Sequence, residues 1–268
     1  MVAILTNERP FIIKAVKEMY TDVASNPGKE FHFPTGRKAC EFVGYPASDL
    51  DAVPACALES FAGVGYPHAG GFMAEGSIIL DVGSGSGTDV LVSSLRVGDE
   101  GHVHGLDMTD AMIEKLKANI EIMGANNASS LEGDAENIPL ANASVDVVTS
   151  NGVLNLVPDK GLAFKEIFRV LRPGGRVQLA DIVVGDPISD ECKANPELWA
   201  ECVVGAALED QYIDLFAAAG FVDIDVLRRF DYFAGSNSEK TRDIATGFKA
   251  HTVELTMRKQ GNDACTTA

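Results

Sequence analysis

The sequence has few positive charges. Lysine and arginine together number 22, against 39 aspartates and glutamates, which gives a formal net charge of −17. Nucleic acids and anionic membranes bind proteins through patches of lysine and arginine, so this balance argues against both. We therefore expect neither a nucleic acid nor a membrane among the partners of this protein.

Long apolar runs and paired cysteines are also missing. No run approaches the length of a membrane span, and the first residues, MVAILTNERPF, lack the basic and then apolar order of a signal peptide. The histidines show no metal-ligand spacing, so no metal site is expected. An odd number of cysteines without a CxxC pair is typical of reduced thiols. The sequence thus predicts a cytoplasmic protein with free thiols at Cys40, Cys56, Cys192, Cys202 and Cys265.

The middle of the chain alternates short apolar runs with amphipathic segments. Helical spacing predicts a helix over 109–124, with Thr109 as its N-cap and Gly124 as its C-terminal stop. Further helices are expected over 88–95 and 160–171. This alternation predicts an α/β fold with a doubly wound, mostly parallel sheet. The apolar runs predict its strands over 77–82, 101–107, 129–134, 144–150 and 176–184.

Two regions interrupt this alternation. Residues 1–71, rich in glycine, proline and aromatic residues, predict an N-terminal cover or lid, and residues 186–207 predict an inserted cap. The core is then 72–185, and residues 208–260 complete the sheet with a last strand that is expected to pair antiparallel. Residues 261–268 are expected to form a disordered tail.

Small and acidic residues gather at the predicted carboxyl ends of the strands, the edge where such sheets bind ligands. The first strand ends in LDVGSGSGTD, the second in Asp107, the third in GDAE and the fourth in Ser150-Asn151-Gly152. An acid about 20 residues after the glycines can take both hydroxyls of a ribose. Asp134, in GDAE, can receive an adenine amino group. Together the four strand ends predict a nucleoside site.

The spacing of the glycines indicates which nucleoside. A dinucleotide fold favours GxGxxG with a helix N-terminus aimed at pyrophosphate, whereas this chain has GxGxG followed by Thr88-Asp89. An acid at that place repels a pyrophosphate and suits a ligand with an ammonium and a sulfonium group. S-adenosylmethionine is therefore favoured over NAD. A reductase is also disfavoured because no Tyr-xxx-Lys pair follows the fourth strand.

Five stretches resemble the successive motifs of class I S-adenosylmethionine-dependent methyltransferases, and of the arsenite methyltransferases in particular: ILDVGSGSGTD, GLDMTDAMI, GDAENIPL, SVDVVTSNGVLNLVPDK and RVLRPGGR. The resemblance covers residues 61–259 and implies a Rossmann-like sheet. It also implies which residues contact the cofactor: Asp81, Gly83, Ser84 and Gly85 at the methionine end, Asp107 and Met108 at ribose and adenine, Asp134 and Ala135 at the adenine edge, and Asn151 on the sugar–methionine side. Gly152 is expected to lie against the cofactor or the acceptor.

The same resemblance implies cysteines that this chain lacks. Arsenite methyltransferases have Ser-Asn-Cys where this chain has Gly152 after Asn151, and another cysteine before the first strand, where this chain has GVGYPHAGG. Cys202 does match, but a soft trivalent metalloid needs two or three converging thiolates. We therefore expect methyl transfer to a small organic acceptor, or to a thiol or selenol. Arsenite methylation with fewer cysteines, and S-adenosylmethionine binding without catalysis, stay open.

Methyl transfer does not need a nucleophile from the enzyme, because the sulfonium is already activated. The enzyme mainly aligns the acceptor for in-line displacement and excludes water. A general base helps only where the acceptor must lose a proton. His68 and Tyr66, in GYPHAGG, and Cys202 are the catalytic candidates, and each can also be explained as a structural residue. The sequence indicates neither the acceptor nor the oligomeric state.

Overall fold

The computed structural model describes residues 9–189, 192, 199 and 203–261. At its centre is a sheet in which four strands begin within one residue of the predicted starts at 77, 101, 129 and 144, while the strand predicted to begin at 176 already begins at Leu171. The strands are β1 (Ile78–Val82), β2 (His102–Asp107), β3 (Ala128–Glu132), β4 (Val145–Asn151), β5 (Leu171–Val183), β6 (Phe221–Phe230) and β7 (His251–Lys259).

The seven strands lie in the order β3-β2-β1-β4-β5-β7-β6. The first five pair in parallel with their neighbours, while β7 runs antiparallel to both β5 and β6. Parallel neighbours need crossover connections, which the helices between them supply. The predicted α/β sheet, mostly parallel with an antiparallel last strand, is therefore confirmed.

The helices fall into two groups: one group precedes β1 in the chain, and the others lie between successive strands. The helix after β2 ends at Gly124, which adopts a left-handed conformation and donates its N–H to the carbonyls of Glu121 and Ile120, as predicted for a stop. Thr109 occupies the N-cap position, although its side chain makes no capping hydrogen bond. The helices are α1 (Arg9–Ser25), α2 (Gly36–Val43), α3 (Ala47–Asp51), α4 (Ala55–Leu58), α5 (Thr88–Val97), α6 (Asp110–Met123), α7 (Lys160–Val170), α8 (Glu209–Ala219) and α9 (Glu239–Gly247).

One face of the sheet is closed by α7 and α8 through an aromatic cluster. The rings of Phe164 and Phe216 are parallel with centroids 3.7 Å apart, and Tyr212 meets both rings edge-on. All three side chains are fully buried against apolar strand residues such as Leu179. Their large contact area fixes the two helices on this face of the sheet.

The segment before β1 packs over the other face and the carboxyl edge. Its apolar side chains, among them Cys40, Leu50 and Phe61, form one core with Ile182 of β5. Cys40 is fully buried there and pairs with no other cysteine. A thiol in that position is a small apolar filler.

Several predicted segments lie outside the described residues. They include most of the predicted cap 186–207, with Cys202, and nearly all of the predicted tail 261–268, with Cys265. Within the described part of the cap, Trp199 is buried and its Nε1 donates to the carbonyl oxygen of Leu156 at 2.9 Å. No helix among the described residues combines the length and the apolar character needed to cross a membrane.

Truncation of Phe164 tests the aromatic cluster. Phe164→Ala should lower the free energy of unfolding by about 3–5 kcal/mol, because it removes buried area and leaves a cavity under Phe216. Phe11→Ala is the matched control, since the Phe11 ring is 63% exposed on α1, and it should change stability by less than about 0.5 kcal/mol. Urea denaturation followed by circular dichroism measures both, and equal effects of the two variants would contradict the role given to the cluster.

Candidate functional site

A cleft of about 1030 Å³, part of it open to solvent, lies at the carboxyl ends of the strands. The strand order reverses between β1 and β4, which are neighbours in the sheet although β2 and β3 separate them in the chain. Open α/β sheets bind their ligands at this point. Residues predicted for the cofactor site that line the cleft are Gly83, Ser84, Gly85, Asp107, Met108, Asp134, Ala135, Asn151 and Gly152.

The glycine-rich turn after β1 forms the floor of the cleft. Gly83 and Ser84 both donate their N–H groups to the carbonyl oxygen of Leu106, at 2.7 and 2.9 Å. Gly83 has a φ of +73°, and a Cβ built on it would lie 2.2 Å from Val153. The turn therefore needs glycine at this position for two independent reasons. The buried hydroxyl of Ser84 has no hydrogen-bond partner among the described atoms, so it is available to a ligand.

Asp107, at the end of β2, holds the turn and faces the cleft. Its Oδ2 accepts the N–H of Gly85 at 2.9 Å, and its Oδ1 accepts the N–H of Thr109 at 2.8 Å. Burial raises the pKa of Asp107, and these backbone hydrogen bonds oppose the rise. The side chain of Thr109 and the backbone of Met108 also hydrogen-bond to this carboxylate and lower its pKa. The carboxylate lines the cleft, and its two adjacent oxygens suit the vicinal hydroxyls of a ribose.

Asp134 and Ala135 follow β3 on the same wall. Oδ1 of Asp134 accepts the N–H of Glu136 at 2.9 Å, which fixes the turn. Arg9 at the start of α1 lies 3.8 Å from the other carboxylate oxygen of Asp134, so α1 reaches this end of the cleft. The two residues lie on the wall that the resemblance implies for the adenine edge.

Asp81 is the one predicted cofactor residue that the structure keeps out of the cleft. Its side chain is 2% exposed and accepts a hydrogen bond of 2.6 Å from the hydroxyl of Thr149 on the neighbouring strand β4. Burial, and then the nearby charge of Asp89, raise the pKa of Asp81 well above its usual value. Asp81 therefore joins β1 to β4 within the sheet and does not line the cleft.

The bend after β4 joins the sheet to the cover. Oδ1 of Asn151 accepts the N–H groups of Val64 and Gly65 at 2.7 and 3.1 Å, and Nδ2 donates to the carbonyl of Gly65 at 3.0 Å. Gly152 has a φ of +73°, and a Cβ built on it would lie 3.0 Å from a methyl group of Val64. The close approach to Gly152 is therefore made by the cover, at the rim of the cleft.

Asp89, in the first turn of α5, lines the cleft, next to the glycine-rich turn where the sequence pattern put an acid that suits a cationic ligand. It is 6% exposed, and its carboxylate accepts hydrogen bonds from Tyr45, His68 and Asn151. Burial alone would raise its pKa. The hydrogen bonds that His68, Tyr45 and Asn151 donate to the carboxylate outweigh burial, so that the pKa of Asp89 is lowered. Asp89 is thus a buried negative charge in the wall.

The three catalytic candidates are not found among the described lining residues. His68 lies behind Asp89, with its Nε2 at 2.8 Å from Oδ1 of that residue. The hydroxyl of Tyr66 donates to Asp49 at 2.7 Å and accepts from Arg96 at 2.7 Å. Cys202 lies outside the described residues. His68 therefore reaches the cleft through Asp89. Tyr66 belongs to a cluster with the ion pair between Asp49 of the cover and Arg96 of α5.

A second part of the wall was missed by sequence reasoning. Ile13, Val16 and Tyr20 of α1, together with Phe61 of the cover, close the cleft from above. Their apolar spacing along α1 is a helical signal, but it does not say which surface the helix covers. The wall as a whole carries three acids, Asp89, Asp107 and Asp134, and no lysine, arginine or histidine among its described residues. An electronegative cleft of this kind fits a cationic cofactor.

Comparisons with known proteins agree with this site. Residues 74–220 match the family described as methyltransferase domain. The arsenite methyltransferase of Halobacterium salinarum is 38% identical over 192 residues, which are 72% of this chain and 49% of that protein. The demethylmenaquinone methyltransferase of Staphylococcus haemolyticus is 33% identical over 182 residues, 65% of this chain and 74% of that protein.

A solved structure of a methyltransferase is also similar to this chain. The arsenic(III) S-adenosylmethionine methyltransferase of Chlamydomonas reinhardtii superposes with a TM-score of 0.68 at 30% identity, covering 81% of this chain and 74% of that one. The chain spans about half the length of the Halobacterium arsenite methyltransferase that it matches. The match to the methyltransferase domain extends over more than half of the chain, and it includes every strand end that lines the cleft. The chain therefore belongs to the S-adenosylmethionine-dependent methyltransferases, similar to the arsenite methyltransferases among them.

Proposed function

We propose that this protein transfers a methyl group from S-adenosylmethionine to a small, uncharged and largely apolar organic acceptor. The supporting observation is the wall of the cleft beyond the strand ends, where Phe61, Val153, Leu156 and Val157 meet the apolar stripe of α1. An anionic acceptor would have to enter this space beside three carboxylates, and any charged acceptor would lose its hydration against the apolar side chains.

The residues of the cleft have distinct roles in this proposal. When bound, S-adenosylmethionine supplies a methyl group that is activated by a positively charged sulfur. Asp107 would hold the ribose hydroxyls, Ser84 and the backbone of the glycine-rich turn the methionine end, and Asp134 with Ala135 the adenine edge. Phe61 and α1 exclude water and align the acceptor, which is the main contribution that an in-line transfer needs from the protein.

Arsenite is the alternative acceptor, and the described cleft lacks ligands for it. A soft trivalent metalloid is bound by converging thiolates, and no described lining residue is a cysteine. Cys40 is buried in the core of the cover, where burial raises the pKa of its thiol. At the bend, Gly152 faces a methyl group of Val64, so apolar contact fills the space where a thiol would have to project.

The sequence also predicts the division of the chain into cover, core, cap and C-terminal completion, a cytoplasmic location, and no nucleic-acid or membrane partner. These three points remain predictions.

A protein that binds S-adenosylmethionine without catalysis would have the same cofactor site. Transfer of a labelled methyl group to any acceptor excludes that alternative.

A methyl-transfer screen tests the acceptor. With labelled S-adenosylmethionine, uncharged phenols and thiols should be methylated, and carboxylated analogues of the same compounds should be poorer acceptors by about tenfold or more. Arsenite with excess thiol reductant should give no methylarsenical. Robust methylarsenical production that disappears in Cys202→Ser would overturn this proposal and would show that a different set of thiols binds the metalloid.

Substitution of Asp107 tests the cofactor assignment. Asp107→Ala should weaken S-adenosylmethionine binding by about 1.5–3 kcal/mol for each hydrogen bond to the carboxylate that is lost. Asp110→Ala is the matched control, because Asp110 is exposed on the first turn of α6 and does not line the cleft. Isothermal titration calorimetry measures both variants. Unchanged affinity in Asp107→Ala would refute the assignment of this carboxylate to the ribose.

Substitution of Gly152 tests the contact at the bend. Gly152→Leu should lower methyl transfer by about 100-fold while the protein stays folded, because the side chain must displace Val64 and disturb the rim of the cleft. Gly174→Leu is the control for backbone strain, since Gly174 has a φ of +82° but nothing within 4 Å of a built Cβ. Normal turnover by the Gly152 variant, or equal losses in both variants, would contradict the close approach.

A further inference from the structure

The polar cluster around Asp89 is buried between the sheet and the cover. Oδ1 of Asp89 accepts the hydroxyl of Tyr45 and Nε2 of His68, the latter at 2.8 Å, and Oδ2 accepts Nδ2 of Asn151 at 3.1 Å. Tyr45 and His68 are both at most 4% exposed and do not line the cleft. The cluster thus connects two residues of the cover to one carboxylate that does line it.

A count of lone pairs leaves one position for a ligand. A carboxylate offers about four acceptor sites, two on each oxygen. The hydrogen bonds of Tyr45, His68 and Asn151 occupy three of them. The fourth belongs to Oδ2, on a side chain that forms part of the cleft wall. The group that best fills such a position beside an ionised carboxylate is a cationic donor.

His68 acts as a donor in this cluster, because the rest of its ring has no partner. Nδ1 of His68 is buried without a hydrogen-bond partner among the described atoms. A ring protonated on both nitrogens would leave a buried N–H unsatisfied, which is costly. The neutral tautomer with its proton on Nε2 avoids this cost and donates to Asp89. The bond therefore stabilises the ionised form of Asp89, which burial alone would disfavour.

We infer that His68 is a positioning residue: together with Tyr45 it keeps Asp89 ionised and held at the wall, and Asp89 makes the cleft discriminate the cofactor from its product by charge. The inference rests on the proposed function and deepens it. Methyl transfer breaks the carbon–sulfur bond and leaves its electron pair on sulfur, while a new bond joins the methyl carbon to the acceptor. The product, S-adenosylhomocysteine, is a neutral thioether at that atom.

This loss of charge gives Asp89 its selective effect. The carboxylate attracts both the ammonium and the sulfonium of S-adenosylmethionine, but only the ammonium of the product. The charged cofactor is therefore favoured on entry, and the product is released more readily. Neither Asp107 nor Asp134 depends on His68, so a change at His68 isolates the contribution of Asp89.

The pH dependence of binding follows from the groups that face Asp89. These are Tyr45, His68, Cys40 of α2 and Asp81 of β1, with Asn151 as an uncharged neighbour. In the wild type, Asp89 stays ionised near neutral pH, so affinity for S-adenosylmethionine should be flat between pH 6 and 8. Without His68, burial raises the pKa of Asp89, and affinity should increase with pH as the carboxylate ionises.

Calorimetry with both ligands tests the inference. His68→Leu should weaken S-adenosylmethionine binding about tenfold, and S-adenosylhomocysteine binding by no more than about threefold. His68→Gln should restore the wild-type ratio of the two affinities, because its amide N–H can replace the donor at Nε2. His102→Leu is the matched control, since His102 is half-buried in β2 and pairs with Ser129, and its ratio should be unchanged.

The outcomes separate this inference from the function on which it rests. A wild type that binds neither ligand would refute the cofactor site itself. A wild type that binds both, with His68→Leu folded by circular dichroism and weakened equally for both ligands, would overturn the inference alone. If His68→Leu does not fold, Tyr45→Phe decides, because it removes the other donor to Oδ1. An equal loss for both ligands in that variant, or failure of His68→Gln to keep the wild-type ratio, also overturns it.

Discussion

The site depends on the side-chain amide of Asn151, which joins three separate parts of the chain. Its oxygen accepts two backbone N–H groups of the cover, and its nitrogen lies 3.0–3.1 Å from the hydroxyl of Tyr45, the carbonyl of Gly65 and the carboxylate of Asp89. The end of β4, the start of α5 and the loop at Gly65 therefore share one buried polar centre. Buried polar groups are costly when they are unpaired. Separation of the cover from the sheet would break all of these hydrogen bonds at once, so the amide of Asn151 holds the cover in place.

Gly152 follows Asn151 and has a different constraint. Its positive φ and the contact with Val64 make the rim of the cleft a backbone-to-methyl contact rather than a place from which a side chain projects. Any other residue at this position would have an unfavourable backbone conformation, and its side chain would also press against Val64. The similarity to arsenite methyltransferases thus extends over the strand ends that line the cleft, while the end of β4 makes an apolar contact with the cover at Gly152. A shared fold therefore does not by itself fix the acceptor.

The strand ends could be predicted from the sequence because one rule places them. Carboxyl ends of parallel strands meet at one edge, so Gly83, Asp107 and Asp134 had to be neighbours once the alternation was recognised. Asp81 could not be placed by that rule, since its side chain bonds to Thr149 of the neighbouring strand and does not line the cleft. The contacts of His68 with Asp89 and of Tyr66 with Arg96 join the cover to α5, and no local pattern encodes contacts between an irregular segment and a distant helix.

The charges of the cleft connect the composition to the chemistry. A net charge of −17 states only that acids outnumber bases, but the fold places three of these acids in the wall and keeps the bases out of its described part. Asp107 is partly neutralised by backbone N–H groups, whereas Asp89 is held ionised by side chains that the cover supplies. The cover therefore does more than pack on the sheet. By supplying Tyr45 and His68 it holds the carboxylate of Asp89 in the wall of the cleft, at the site that we propose for a cationic cofactor.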